Sequence, residues 1–280
     1  FVIGLEFNLP KLKSMRTLVF GLGSAQVLLT IAGTLLGHAL LVWAFSFTAR
    51  PWELGWQGAV VLGAAIAMSS TAIVVKLMAE RLELETEHGR RVMGVLLFQD
   101  LAVVPLLVLI PALDSPPQEM AQSIGLALVK ATLLLTVLLV GGQLVMRWWL
   151  NLVAKRKSEE LFVLNLLLIT LGLAWITEHA GLSLALGAFV AGMLVAETPY
   201  KHQVETDIRP FHDVLLGLFF ITIGMKLDWR LVLDQWGLVL LLTLGPVGVK
   251  FVLVAALARL FNATPGTSLR TGLYLAQALS

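Results

Sequence analysis

The chain has 280 residues, 58% of them hydrophobic and 14% charged, with 20 Lys and Arg against 18 Asp and Glu. Soluble domains carry about 25% charged residues, so this composition, with a mean hydropathy of +0.88, excludes an ordinary globular domain and points to a polytopic membrane protein. Cys is absent, which excludes disulfides and thiolate metal sites, and the net charge of +2 does not call for a nucleic-acid partner because topology accounts for the basic residues.

The chain opens on Phe1-Val2-Ile3-Gly4, without Met, and closes on Ala278-Leu279-Ser280 in an apolar stretch, with no signal-peptide n-region or cleavage site. Both ends read as cut through membrane spans, so residues 1–280 are expected to be a partial transmembrane domain of a longer protein. After the truncated opening span, hydropathy predicts nine spans or part-spans. They cover Leu18–Phe45, Gly58–Met78, Val92–Leu113, Ala121–Leu150, Leu161–Thr177, Leu182–Ala196, Phe211–Met225, Leu231–Leu260 and Leu269–Ser280.

The basic residues test this division. One alternating set of loops holds 14 of the 20 Lys and Arg, from Lys11, Lys13 and Arg16 through to Arg259 and Arg270. The other holds Arg50, Lys226 and Arg230, while Lys76, Lys130 and Lys250 lie inside spans. The rich set is therefore cytoplasmic. The opposite loops are short and carry interfacial Trp (Trp43, Trp52, Trp56, Trp229, Trp236) and the Pro116-Pro117 turn.

Asp100 is the lone formal charge in the run from Met93 to Leu113, with Gln99 beside it. A carboxylate at mid-span costs about 2.5–3.5 kcal/mol on insertion scales, and such groups face water or a partner and mark ion or proton paths. Asp100 lies nine residues from Arg91, and Lys250 nine from Arg259, about 13–14 Å into the membrane for each. Ser69-Ser70-Thr71 interrupts the second predicted span at a similar level, where hydroxyls loosen a helix and an opened backbone offers carbonyls and N–H groups to ions. Asp100 is the same-depth counter-charge expected for Lys250, with Gly245-Pro246-Val247-Gly248 loosening the helix before it. Lys76 and Lys130, nearer span ends, read as snorkelling side chains. Pro105 and Pro111 are expected to kink the Asp100 helix. Asn165 reads as a helix–helix hydrogen bond, and the stripe Gly187 to Gly192 as close packing. Glu197–Arg209 reads as a solvated cytoplasmic loop whose Glu205 and Asp207 have no part in charge sorting.

Six stretches carry a family resemblance: FVIGLEFN (1–8), AMSSTAIVVKLM (67–78), GVLLFQDLAVVPLL (94–107), GLSLALGAFVAGMLVAET (181–198), KHQVETDIRPF (201–211) and LLGLFFITIGMKLD (215–228). Together they resemble the monovalent cation:proton antiporter-2 family, and the Phe-Gln-Asp triplet and the His202-to-Phe211 loop resemble its Kef-type potassium–proton antiporters. The resemblance implies an all-α inverted-repeat fold with two discontinuous crossing helices. The first break falls at Ser69-Ser70-Thr71 and the second in the span that begins at Leu269. It also implies that Asp100 binds the cation or proton, potassium being the expected ion. Gln99 stands where sodium-type relatives often carry a second acid, and Lys250 is the basic residue near the carboxylate. His202, Glu205 and Asp207 would form a regulatory loop answering to a cytoplasmic nucleotide-binding domain and to glutathione or its adducts. A homodimer in a bacterial inner membrane is implied as well, with no cofactor in the chain itself.

The function expected is cation:proton exchange by alternating access around Asp100, electroneutral because Gln99 is neutral. A sodium–proton exchanger, an ion-coupled symporter of the same fold and a channel stand as alternatives within transport. Outside it, an intramembrane aspartyl protease needs two mid-membrane carboxylates, and Asp100 alone is found at that depth. A serine protease needs a deep base near Ser69 or Ser70, whereas the five His lie in loops or near span ends. A structural membrane scaffold is the remaining alternative.

Overall fold

The structure, a computed structural model, describes residues 1–6, 14–46, 54–113, 116 and 119–276. Lys11, Lys13, Arg50, Trp52, Pro117 and the run after Ala276 lie outside the described residues. Every regular element among the described residues is a helix, as hydrocarbon requires, because backbone groups that meet no water have to bond within their own segment.

The helices are α1 (Val2–Glu6), a π-helical turn (Leu18–Gly23) running into α2 (Ser24–Phe45), α3 (Trp56–Ala67), α4 (Thr71–Glu80), α5 (Glu87–Ala112) and α6 (Met120–Ala154). They continue as α7 (Glu159–His179), α8 (Leu184–Ala196), α9 (Lys201–Met225), α10 (Trp229–Asp234), α11 (Trp236–Leu260) and α12 (Pro265–Leu275). Seven stretches among the described residues are long and apolar enough to cross a membrane, the protein being an integral multi-pass one. The 13 residues of α8 are apolar but short; at 1.5 Å each they rise about 20 Å, less than a core about 30 Å thick.

Three predicted boundaries move, each for a local reason. The expected loop Glu197–Arg209 is helical from Lys201, so α9 runs on past its apolar segment, with Pro210 inside it. Lys201 meets Glu205 at 3.9 Å and His202 meets it at 3.1 Å, the i,i+4 and i,i+3 pairings that favour a helix in water. The expected span Leu231–Leu260 is divided at Gln235, whose φ of −120° and ψ of 32° leave the helical region between α10 and α11. The last span starts at Pro265 and not at Leu269, because Thr264 caps it by accepting from the Thr267 N–H and Pro265 suits a first helical turn. Pro105 and Pro111 both lie inside the continuous α5.

The chain divides into two compact units, Phe1–Asn8 with Val104–Leu233, and Leu9–Val103 with Asp234–Ser280. The first is built around α8, whose Leu186, Phe189, Val190 and Leu194 are buried. Its glycines set the packing distance: a Cβ on Gly192 would lie 2.1 Å from the Phe1 carbonyl oxygen of the chain's first turn, and one on Gly187 2.4 Å from that of Leu173 on α7. Asn165 of α7 accepts from the Trp149 indole of α6 at 3.1 Å, the interhelical bond expected of it.

In the second unit, Leu22, Val74, Met78, Val95, Leu96, Val254 and Leu275 form one apolar core. The π-helical turn crosses α5 closely, since a Cβ on Gly23 would stand 2.4 Å from Phe98 Cβ and one on Gly94 2.7 Å from Leu18 Cβ. That approach brings Gln26, one turn further on, to α5.

Gly187→Leu is expected to lower the thermal unfolding midpoint of the purified protein markedly, overpacking costing about 1–3 kcal/mol or more. Gly172→Leu is the matched control on α7, because nothing stands within 4 Å of its added Cβ. Equal losses at the two positions would contradict backbone contact through Gly187.

Candidate ion-binding site

The second predicted span is two helices joined by an extended strand of backbone. Met68 has φ −70° and ψ 151°, and Ser70 φ −70° and ψ 109°, so α3 ends at Ala67 and α4 starts at Thr71. Ser70 is the N-cap of α4, its hydroxyl accepting from the Ile73 N–H at 3.3 Å. Hydroxyl side chains are favoured there because the first turn of a helix leaves N–H groups without partners.

The other backbone groups of the break meet side chains from three further helices. The Ala67 carbonyl accepts from Gln26 Nε2 of α2 at 3.1 Å. The Met68 carbonyl accepts from Lys250 Nζ of α11 at 2.6 Å. The Ser69 N–H donates to Gln99 Oε1 of α5 at 2.8 Å. Gln99 Nε2 donates to Gln26 Oε1 at 2.9 Å, so the two amides hold each other. Ser69 Oγ accepts from Lys250 Nζ at 2.9 Å and donates to the Leu275 carbonyl, at the last residue of α12, at 3.2 Å.

Asp100 lies on the opposite side of the break in electrostatic terms. Thr71, the first residue of α4, donates its hydroxyl to Asp100 Oδ1 at 3.4 Å. Asp100 is buried, as are Gln99, Gln26 and Lys250. The C-terminal end of a helix carries partial negative charge and the N-terminal end partial positive charge. The Lys250 ammonium sits at the C-terminal end of α3, and the Asp100 carboxylate at the N-terminal end of α4. Each charge is thus matched to the half-helix terminus that stabilises it.

Asp100, Gln99, Ser69, Ser70, Thr71 and Lys250 are therefore brought together in one unit. His202, Glu205 and Asp207 belong to the other unit, on the first turns of α9. There His202 Nδ1 pairs with Glu205 Oε2 at 3.1 Å, and Asp207 Oδ2 is enclosed without a hydrogen-bond partner among the described residues.

Sequence reasoning missed Gln26. The signal was present: Gln26 stands ten residues past Arg16 in a mostly apolar span, which puts it about 15 Å deep, close to the level of Asp100 and Lys250. The Leu275 carbonyl had no such signal, because a backbone acceptor carries no residue identity.

A second polar cluster ties the segment after α4 to α5 and α12. Glu83 Oε2, just after α4, accepts from the Tyr274 hydroxyl of α12 at 2.5 Å and lies 3.1 Å from His88 Nε2 of α5. The hydrogen bond from Tyr274, and then that from His88, holds the Glu83 carboxyl below its ordinary value of 4.5.

Compared with known proteins, residues 1–280 match the family described as sodium/hydrogen exchanger, transmembrane. The chain is similar to K(+) efflux antiporter 1, chloroplastic, of Arabidopsis thaliana, with 44% identity over 284 residues, covering 99% of this chain and 23% of that protein. It is similar to the putative K(+) efflux antiporter KefB of Alkalimonas amylolytica, with 42% identity over 277 residues, covering 99% of this chain and 40% of that protein. K(+) efflux antiporter 3, chloroplastic, of Arabidopsis thaliana shares 38% identity over 292 residues, with 99% of this chain and 37% of that protein covered. The chain thus spans between 23% and 40% of the length of these relatives.

Gln26→Leu removes the partner of the buried Ala67 carbonyl and of the Gln99 amide, and is expected to destabilise the fold by about 1–3 kcal/mol. Thermal unfolding of the purified variant reads this, and an unchanged midpoint would remove Gln26 from the network. The Glu83 contact contributes stability that is fully present above the unfolded carboxyl's pKa and is lost as pH falls through its lower folded value. On acidification below pH 4.5 the unfolding midpoint should fall less in Glu83→Gln than in the parent, whereas parallel pH curves would contradict the contact.

Proposed function

The chain belongs to the sodium/hydrogen exchanger family, and from that premise we propose that it exchanges a monovalent cation, potassium foremost, for protons by alternating access around Asp100. The observation that carries the proposal is the pairing of opposite charges with opposite ends of one interrupted helix. A carboxylate beside the N-terminal end of α4, bonded by Thr71, is a mid-membrane acceptor that takes a proton or a desolvated cation, and not both at once. The hydroxyl of Thr71 stands ready to replace part of the cation's hydration shell.

Lys250 is the internal counter-charge in this reading. It holds the Met68 carbonyl and Ser69 hydroxyl whether or not Asp100 carries a cation, so the break does not collapse when Asp100 is protonated. Ser69 and Ser70 keep the backbone open, the first by bridging to Lys250 and Leu275, the second as a cap. Gln99 is a positioning residue, because its amide is engaged by Ser69 and Gln26. With one titrating carboxylate at the centre, one cation is exchanged for one proton.

Potassium is favoured over sodium by the names of the relatives, which are K(+) efflux antiporters. The proposal extends to a bacterial inner membrane, although two of those relatives are named chloroplastic. It also includes a homodimer and a cytoplasmic nucleotide-binding domain acting on His202, Glu205 and Asp207. These rest on the Kef-type likeness of the first turns of α9.

Asp100→Asn in the full-length protein, reconstituted in vesicles, is expected to reduce cation-driven proton flux to the level of protein-free vesicles, and flux at the parental rate would refute the assignment. Thr71→Ala is expected to raise the half-saturating potassium concentration about tenfold, the loss of one charge-assisted hydrogen bond of about 1.4 kcal/mol. Equal or greater flux with sodium in the same vesicles would replace potassium by sodium in the proposal.

A further inference from the structure

A cavity of about 360 Å³ lies between α4 and α12 on the cytoplasmic side of the second unit. Its composition changes with depth. Arg81 directly follows α4 and Ile73 stands eight residues earlier, about 12 Å deeper along the helix. Arg270 of α12 joins Arg81 at the shallow end, whereas Leu77 and Leu273 extend the apolar wall. Ile73 is 50% exposed, Leu77 39% and Leu273 70% among the described residues.

Glu83 also lines the cavity, but its Oε2 is taken by Tyr274 and His88. Two guanidiniums against one engaged carboxylate leave an excess positive charge at the level where cytoplasmic headgroups lie. Basic pockets between transmembrane helices on that side take anionic headgroups, and guanidiniums bind phosphate with paired N–H donors. A free anion would have no use for the apolar wall above, whereas an acyl chain would cover it.

We propose that this cavity binds an anionic phospholipid of the cytoplasmic leaflet, with its phosphate at Arg81 and Arg270 and an acyl chain along Ile73, Leu77 and Leu273. The lipid joins α4 to α12, the two helices whose inner ends meet through Ser69 and Leu275. The site concerns binding alone and stands whether or not Asp100 carries exchange.

Native mass spectrometry of the full-length protein, equilibrated with phosphatidylglycerol and phosphatidylcholine of equal chain length, tests the proposal. Phosphatidylglycerol should be retained in preference, and retention should fall roughly 30-fold in Arg81→Gln/Arg270→Gln, about fivefold for each basic residue near an anionic surface. Millimolar inorganic phosphate should not displace the lipid. Leu273→Glu keeps both guanidiniums but charges the apolar wall, and should also lose the preference, so the proposal does not hang on the folding of one variant. Equal retention of the two lipids by the parent protein, parental preference in either variant with its melting in phosphatidylcholine unchanged, or displacement by inorganic phosphate would overturn it.

Discussion

Backbone amides in hydrocarbon have no water to fall back on, so a helix that stops at mid-membrane leaves several N–H and C=O groups to be answered by something else. Between α3 and α4 those answers come from side chains of α2, α5 and α11, together with the cap supplied by Ser70. The interruption therefore dictates the polar composition of its neighbours. Gln26, Gln99 and Lys250 are buried, and each satisfies a backbone group that the break exposes. A buried polar group without a partner costs about 1–3 kcal/mol, so the network is complete or the break does not form.

The same interruption creates the electrostatics of the site. A continuous helix across residues 56–80 would place its dipole ends at the two membrane surfaces, where water screens them. Cutting it at Met68–Ser70 brings a negative end and a positive end to the middle of the membrane. Lys250 and Asp100 then occupy positions that would be costly in an uninterrupted apolar bundle. Each terminus thus meets one charge: the ammonium bonds the Met68 carbonyl at the end of α3, and the carboxylate accepts from the Thr71 hydroxyl at the start of α4.

The two units distribute stability differently. In the first, glycines bring α8 into backbone contact with its neighbours, and packing of apolar surface does most of the work, as expected where helices associate through small residues. The second packs an apolar core around Leu96 and Val254 but places its polar network beside it. Away from the break, Glu83 links the end of α4 to α12 and α5.

Sequence alone identified most of the spans and placed Asp100, Lys250 and Ser69–Thr71 at one level along them, where the structure brings them together. Transfer of side chains into hydrocarbon is summed along the chain, and helix rise converts residue number into depth. It misjudged places where a local signal competed with hydropathy: the charged start of α9, the Gln235 interruption and the Thr264–Pro265 cap. Only the tertiary structure decided which backbone group each polar side chain meets, that Gln26 joins Gln99, and that the last carbonyl of α12 reaches Ser69. Those pairings depend on the rotation of each helix about its axis and on the close crossing at Gly23 and Gly94. Neither is written in a pattern that hydropathy or spacing can read.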